Sequence, residues 1–332
     1  MRNDDLKFGL RLPTFALGKE TADLDQMAEY LRQAEKMGFA HAFVIDHLLT
    51  TPPAYACTWL DALTTLTALA ARTSKIKVGP LVLVLPLRHP VSLAKTLATM
   101  DFLSDGRIIL GLGVGWGAEE FQTLNVPTKN RGKRTEESIE ILKALWTSDH
   151  VNYHGDFYNV NDLTIDPKPK QRPHIPFWIG GGMQPFEVVY GMKSPDVTPV
   201  LRRIAKYAQA WIPHSSSSPE MNRKDWEGIL GFCKEFGRDP EEIEIVYSNF
   251  VYLRKTGDEL SKVRSFFAKY SGLSFEHIQQ NYLVGTPDEV ARKIKTRLNA
   301  TDGMDHVVLN PINWELDQLE AIRNEVIPQL MA

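Results

Sequence analysis

Cysteine is scarce in this chain of 332 residues: Cys57 and Cys233 are its two thiols. They form neither a disulfide framework nor a ligand cluster, which points to a reducing, cytoplasmic setting. Long apolar runs are also lacking. The longest candidate, KVGPLVLVLPLRHP, is broken by Pro80, Pro86 and Pro90, too soon to span a bilayer. The opening MRNDDLKFGLRLP has no basic-then-apolar signal pattern. Positive charge is not in excess. A formal net charge of -3 gives no electrostatic reason to expect nucleic acid or an anionic membrane as a partner. The 9 histidines include no H-x-H pair and no H-E-x-x-H, so no metal is assigned. No solenoid-type repeat is visible.

What is present is an ordinary globular composition, 43% hydrophobic and 24% charged, on a chain long enough for a large core. Short β-rich runs alternate with amphipathic helices. KFGLRLP, AFVI, IKVGPLVLVLP, RIILGLGVG, IPFWIGG, AWIP, EIEIVYSNFVYL and DHVVLNP read as strands. Between them, Leu24, Met27, Ala28, Leu31 and Ala34 share one helical face, and Gly38 supplies the stop. Ile139, Leu142 and Leu145 mark another helix. TPDEVARKIKTRL opens with Thr286 as N-cap, Pro287 at the first position and Glu289 at the third. The alternation predicts an α/β fold, a parallel (β/α)8 TIM barrel occupying residues 1–332 as one domain, with a doubly wound open sheet as the other arrangement it permits. The polar, aromatic and proline-rich stretch 147–176 reads as an excursion, such as a small hairpin.

In such a barrel, residues just after each strand lie on the C-terminal rim, where these enzymes place their chemistry. Asp46 and His47 follow strand two. Being adjacent, they point to opposite faces and do not form a dyad. His47 is either a strand-end group bonding a neighbouring loop or a proton donor and acceptor poised near neutral pH. Arg88 and His89 follow strand three. Gly111, Gly113, Gly115 and Gly117 follow one another at alternate positions through strand four and miss the spacing of a dinucleotide fingerprint. They form a tight bend or admit a flat ligand, with Trp116 as a lid, a stacking surface or core. Gly180, Gly181 and Gly182 after strand five cost conformational entropy, which suggests close approach of a ligand. Arg131, Lys133 and Arg134 form either a solvated face or a cationic rim. Tyr252 and Asn310 mark the ends of strands seven and eight.

The segments FVIDHLL, VLVLPLRHPVSLAKTLATMDFLSDGRIILGLGVGW, RGKRTEESIEILKALW, PKPKQRPHIPFWIGGG and LRRIAKYAQAW together resemble the luciferase-like flavin and deazaflavin oxidoreductases over nearly the whole chain. They look most like the subgroup that uses coenzyme F420. The resemblance implies a barrel mouth holding a tricyclic ring, with F420, or alternatively FMN, as cofactor. It maps the ring-lining Asp-His pair onto Asp46 and His47, and a non-proline cis peptide onto Leu81–Val82. It maps the strand-four turn onto Gly113, Val114, Gly115 and Trp116, and the backbone at the cofactor's polyol or phosphate region onto Gly180–Gly182. It implies hydride transfer with a small organic substrate, a homodimer, and a flavin or F420 reductase as supplier. An FMN-dependent monooxygenase and a non-catalytic flavin-binding protein are the alternatives within this resemblance; a metal-dependent barrel hydrolase is the rival outside it. Trp116 and Thr51 stand where sugar-phosphate-oxidising members carry an acid and a Trp. Residues 183–197 form an insertion, after which the helix start near Thr198 is expected to suit a phosphate.

Overall fold

In the computed structural model the described residues are 5–16, 23–50, 57–187, 193–254, 260–270, 274–301 and 303–331. Eight parallel strands form the frame: β1 (Lys7–Arg11), β2 (His41–Val44), β3 (Lys77–Pro80, resuming at Leu83–Val84), β4 (Leu110–Gly113), β5 (Phe177–Gly180), β6 (Ala210–Ile212), β7 (Glu244–Leu253) and β8 (His306–Pro311). Pairing runs from β3 through β2, β1, β8, β7, β6, β5 and β4 to the second half of β3. The two ends of that order are halves of one strand, so the sheet comes nearly full circle as a barrel. A bridge between Val78 and Ile108 helps close the seam. The break in β3 falls at the Leu81–Val82 peptide, which is cis.

Strand alternation sets what fills the barrel. Phe43, Leu81, Ile109, Trp178, Ala210, Ile212, Val246 and Val308 form an inner cluster, with Val82 packed on it from above. Residues two places further along each strand therefore face the mouth. The outer faces of the strands pack on the helices in a larger core.

The helices start and stop where their sequences direct. In α1 (Leu24–Lys36), the Asp23 side chain accepts from Gln26 N, and Met27, Ala28, Leu31 and Ala34 are buried. Gly38, at φ +88°, turns the chain away, a conformation a side chain would disfavour. α2 (Ala62–Ala70), α3 (Pro90–Leu103), α4 (Arg131–Thr147), α5 (Thr198–Tyr207), α6 (Pro219–Phe236), α7 (Pro287–Leu298) and α8 (Leu316–Ala321) follow. The start of α7 is a reciprocal capping box between Thr286 and Glu289. The 147–176 excursion contains an antiparallel hairpin of Val151–His154 and Asn159–Leu163. Within 183–197, residues 188–192 lie outside the described residues, as does Thr51. No helix among the described residues is long and apolar enough to cross a membrane.

Candidate active site at the barrel mouth

His47 continues the inward alternation of His41 and Phe43, so its ring enters the mouth. Its Nδ1 lies 3.3 Å from Glu120 Oε1. The same oxygen accepts from Leu48 N at 2.6 Å and Leu49 N at 3.4 Å. The His47 and Glu120 side chains are only 9% and 1% exposed, so both groups are withdrawn from bulk water. Burial alone would push the Glu120 carboxyl up, but the hydrogen bond and charge of His47 and the two backbone amides outweigh it, and its pKa is lowered. An ionised carboxylate at Nδ1 favours a proton on that nitrogen and leaves Nε2 as the ring atom turned away from Glu120. Rings bracket the pair: Trp59 lies 4.9 Å and Trp116 6.0 Å from His47, centroid to centroid.

Glu120 is the acid that sequence reasoning missed. It sits in the short helix Ala118–Thr123, three residues after the N-cap Gly117. A β-carbon at Gly117 would stand 2.9 Å from Glu120 Oε2, so the bare glycine makes room for the carboxylate to fold back. The signal was present in WGAEEF, but a partner 73 residues from His47 is visible only once the barrel closes. Trp116, which had seemed to replace the companion acid, is instead 47% exposed beside it.

Asp46 turns the other way, as alternation requires. Its Oδ2 accepts from Val84 N at 3.0 Å and its Oδ1 from Arg88 at 2.8 Å, with Asp61 as the second acidic partner of Arg88. Asp46 thus fixes the end of β2 to the resumed half of β3. His89 lies beside Tyr158, and Arg134 stacks over Phe157, 4.5 Å from the ring centroid; both belong to the hairpin side. Arg131 donates to Thr128 O. Among the described residues no cluster of three or more His, Cys, Asp or Glu is arranged to hold a metal.

The rim glycines have a reason other than ligand approach. Val82 projects between Gly113 and Gly180: added β-carbons there would stand 2.9 Å and 3.1 Å from its methyl groups. Val84 and Phe121 crowd Gly115, Val200 crowds Gly181, and the Asp225 carboxylate occupies the place of a side chain at Gly182. Val82, Gly113 and Gly180 nevertheless bring low-profile, apolar groups together at three neighbouring strand ends. Such a shelf is compatible with the flat face of a ring. The glycine turn itself is held by protein groups: Met183 N donates to Asp225 Oδ2 at 2.7 Å, and Trp211 Nε1 to Gly181 O at 2.8 Å.

The expected phosphate position at α5 does not fit. Thr198 N donates to Asp196 Oδ1 at 2.9 Å, residue 199 is a proline with no N–H, and Val200 N is bonded to Val197 O. A carboxylate therefore already stands where the helix would receive an anion.

This architecture agrees with comparisons to known proteins. The sequence model described as luciferase-like monooxygenase matches residues 6–305. The chain belongs to that family. It is 27% identical over 325 residues to an F420-dependent glucose-6-phosphate dehydrogenase of Amycolatopsis mediterranei, covering 92% of this chain and 94% of that protein. It is 38% identical over 162 residues to an FMNH(2)-dependent dimethylsulfone monooxygenase of Pseudomonas putida, covering 48% of this chain and 44% of the relative. The crystal structure of monooxygenase RslO1 from Streptomyces bottropensis superposes with a TM-score of 0.81 at 23% identity, covering 97% and 99% of the two chains, and supports the fold. These relatives are named as a dehydrogenase and a monooxygenase, and the chain is an oxidoreductase.

Proposed function

We propose that this chain moves a hydride between a small organic substrate and the deazaflavin F420. The carrying observation is the buried Glu120–His47 pair at the strand-end rim. The cofactor, when bound, supplies the hydride chemistry. The protein's residues do the rest. Val82, Gly113, Val114 and Gly180 give the ring an apolar seat, and Leu81 sets the turn beneath it. Trp116 and Trp59 limit water at His47. His47 Nε2 takes or gives the proton that accompanies hydride transfer at a carbon bearing oxygen, while Glu120 on Nδ1 stabilises the protonated ring. Asp46 positions rather than reacts, since both its oxygens already hold Val84 and Arg88. Gly115, Gly181 and Gly182 shape the turns on which the cofactor's tail would lie. The tail phosphate needs donors other than the start of α5.

The second reading is an FMN-dependent monooxygenase, favoured by the segment shared with the dimethylsulfone enzyme. In either case the proposal places the protein in the cytoplasm, as a homodimer, fed by an F420 or flavin reductase. Side-by-side fluorescence titration with F420 and FMN separates the readings. We expect micromolar or tighter binding of F420 and weaker binding of FMN. The reverse order would transfer the assignment to the monooxygenase, and tight binding of neither would sink both.

A further inference from the structure

The mouth has a second wall that the hydride proposal leaves idle. It is built by β6, β7, β8 and β1, the strands that complete the circle from the shelf back to β2. His214 extends the inward alternation of Ala210 and Ile212. Its Nδ1 accepts from Ser216 N at 3.2 Å. A backbone amide can only donate, so the neutral ring must carry its proton on Nε2. Burial pushes the His214 pKa down to about 4, and the charge of Arg11 adds to this. The imidazole is therefore uncharged near neutrality and presents a standing N–H donor. The residue as a whole is half-buried.

Two neighbours have the same polarity. Arg11 is the last residue of β1. It shares a register position with Phe43, which faces inward, and its guanidinium lies 4.8 Å from the Phe250 ring centroid. Asn310 on β8 follows Val308 inward and is 1% exposed. Its Oδ1 accepts from Ser248 Oγ at 3.3 Å, which turns Nδ2 away from that partner. Nδ2 is buried and meets no acceptor among the described residues. Buried amide donors are rarely left unmade in a folded protein, so this one points to a missing acceptor. Across this wall His214 and Asn310 offer inward donors and Arg11 adds positive charge.

We propose that His214, Arg11 and Asn310 form an oxyanion pocket that selects, within the reading above, substrates carrying a carboxylate or similar small oxyanion. In strand order His214 on β6 lies opposite β2, and Arg11 on β1 adjoins it. A substrate anchored by its oxyanion on one side would present its reactive carbon to the shelf and its exchangeable proton to His47. The α5 terminus, already occupied by Asp196, offers no competing seat for the same group.

The probes are benzoate and its neutral isostere benzamide, titrated against the full chain by calorimetry. F420 and FMN are titrated separately on each variant. Wild type should bind benzoate at least about tenfold more tightly than benzamide, as expected for charge-assisted donors in a recessed site. His214→Leu should lose about tenfold in benzoate affinity, and His214→Gln, which keeps a donor, should recover most of it. Ring-cofactor affinity should be the same in all three proteins. Equal benzoate affinity in wild type and His214→Leu would overturn the pocket. So would a parallel loss of F420 or FMN affinity, which would assign the wall to the cofactor. Absence of any cofactor binding with the benzoate pattern intact would sink the hydride proposal and its substrate selection, while leaving the oxyanion pocket standing.

Discussion

At the floor of the barrel, His41 and His306 lie with ring centroids 4.8 Å apart and pack on Trp178, whereas at the mouth His47 and His214 stand on separate walls. Both ends therefore use imidazoles, tryptophan and carboxylate. The wiring differs. Floor groups are the first residues of their strands: Lys7, His41, Lys77, Glu244 and His306 border one cavity of about 530 Å³ beneath the sheet. Strand pairing fixes the backbones of His41 and His306 on both sides and those of Lys7, Lys77 and Glu244 on one. Mouth groups follow their strands: His47 is fixed by a side chain reaching from elsewhere, that of Glu120, and His214 by the nearby backbone amide of Ser216. A group held by its own strand tolerates loss of a neighbour. A group held by one distant side chain does not.

That contrast is tested most severely by Glu120→Ala. The substitution removes the acceptor of Leu48 N and Leu49 N and the partner of His47 in one step. Leaving such buried groups unmade costs about 2–4 kcal/mol in all. Thermal unfolding should show this loss, and turnover should fall below detection. A stability change under about 0.5 kcal/mol, the range of neutral surface substitutions, would mean that the loop after β2 is held by something else.

Next in size is the chemical effect without the structural one. Glu120→Gln keeps an acceptor for Leu48 N, and His47→Gln keeps the volume of the ring. Each should leave the melting temperature near wild type and lower kcat by about 10²- to 10⁴-fold, the usual contribution of a positioned acid or base. The double variant should be little worse than either single one, because the two act as a unit. Additive losses in kcat would show that Glu120 and His47 serve separate steps.

The same contrast explains what could be read from the sequence. Barrel order was legible because each strand and helix carries its own period, and the α7 capping box because Thr286 and Glu289 are local neighbours. The Leu81–Val82 cis peptide was anticipated through resemblance. Glu120, Arg11, His214 and Asn310 come together only through barrel closure, so no local pattern announces them. The packing reason for the glycines was hidden in the same way. Their entropy cost suggested a ligand, but Val82 and Asp225, far away in sequence, are what their missing side chains accommodate. At α5 the general preference of helix starts for anions is met by the chain itself, through Asp196, and Pro199 removes one donor.

The smallest expected effect belongs to the floor, and its sign can be worked out. Burial would raise the Glu244 carboxyl, but the hydrogen bond and charge of His306, with Lys7 adding to them, hold it down at about 2 against an ordinary 4.5. A carboxyl lowered on folding stabilises the protein above its unfolded pKa. That contribution is lost as pH falls from about 4.5 through about 2. His41 adds an earlier loss. Burial, then the nearby positive groups, lower its pKa, so acidification below 6.5 protonates the unfolded chain before the folded one. Glu244→Gln should therefore flatten the lower part of the acid-unfolding curve, and His41→Gln the upper part. Neither should alter turnover at neutral pH. Glu244 is 38% exposed on its side chain, so solvent screening keeps its contribution at neutral pH small. If Glu244→Gln instead reduced turnover as strongly as Glu120→Gln, floor and mouth would be coupled through the Trp178 layer, and the separation of a stabilising end from a reacting end would fail.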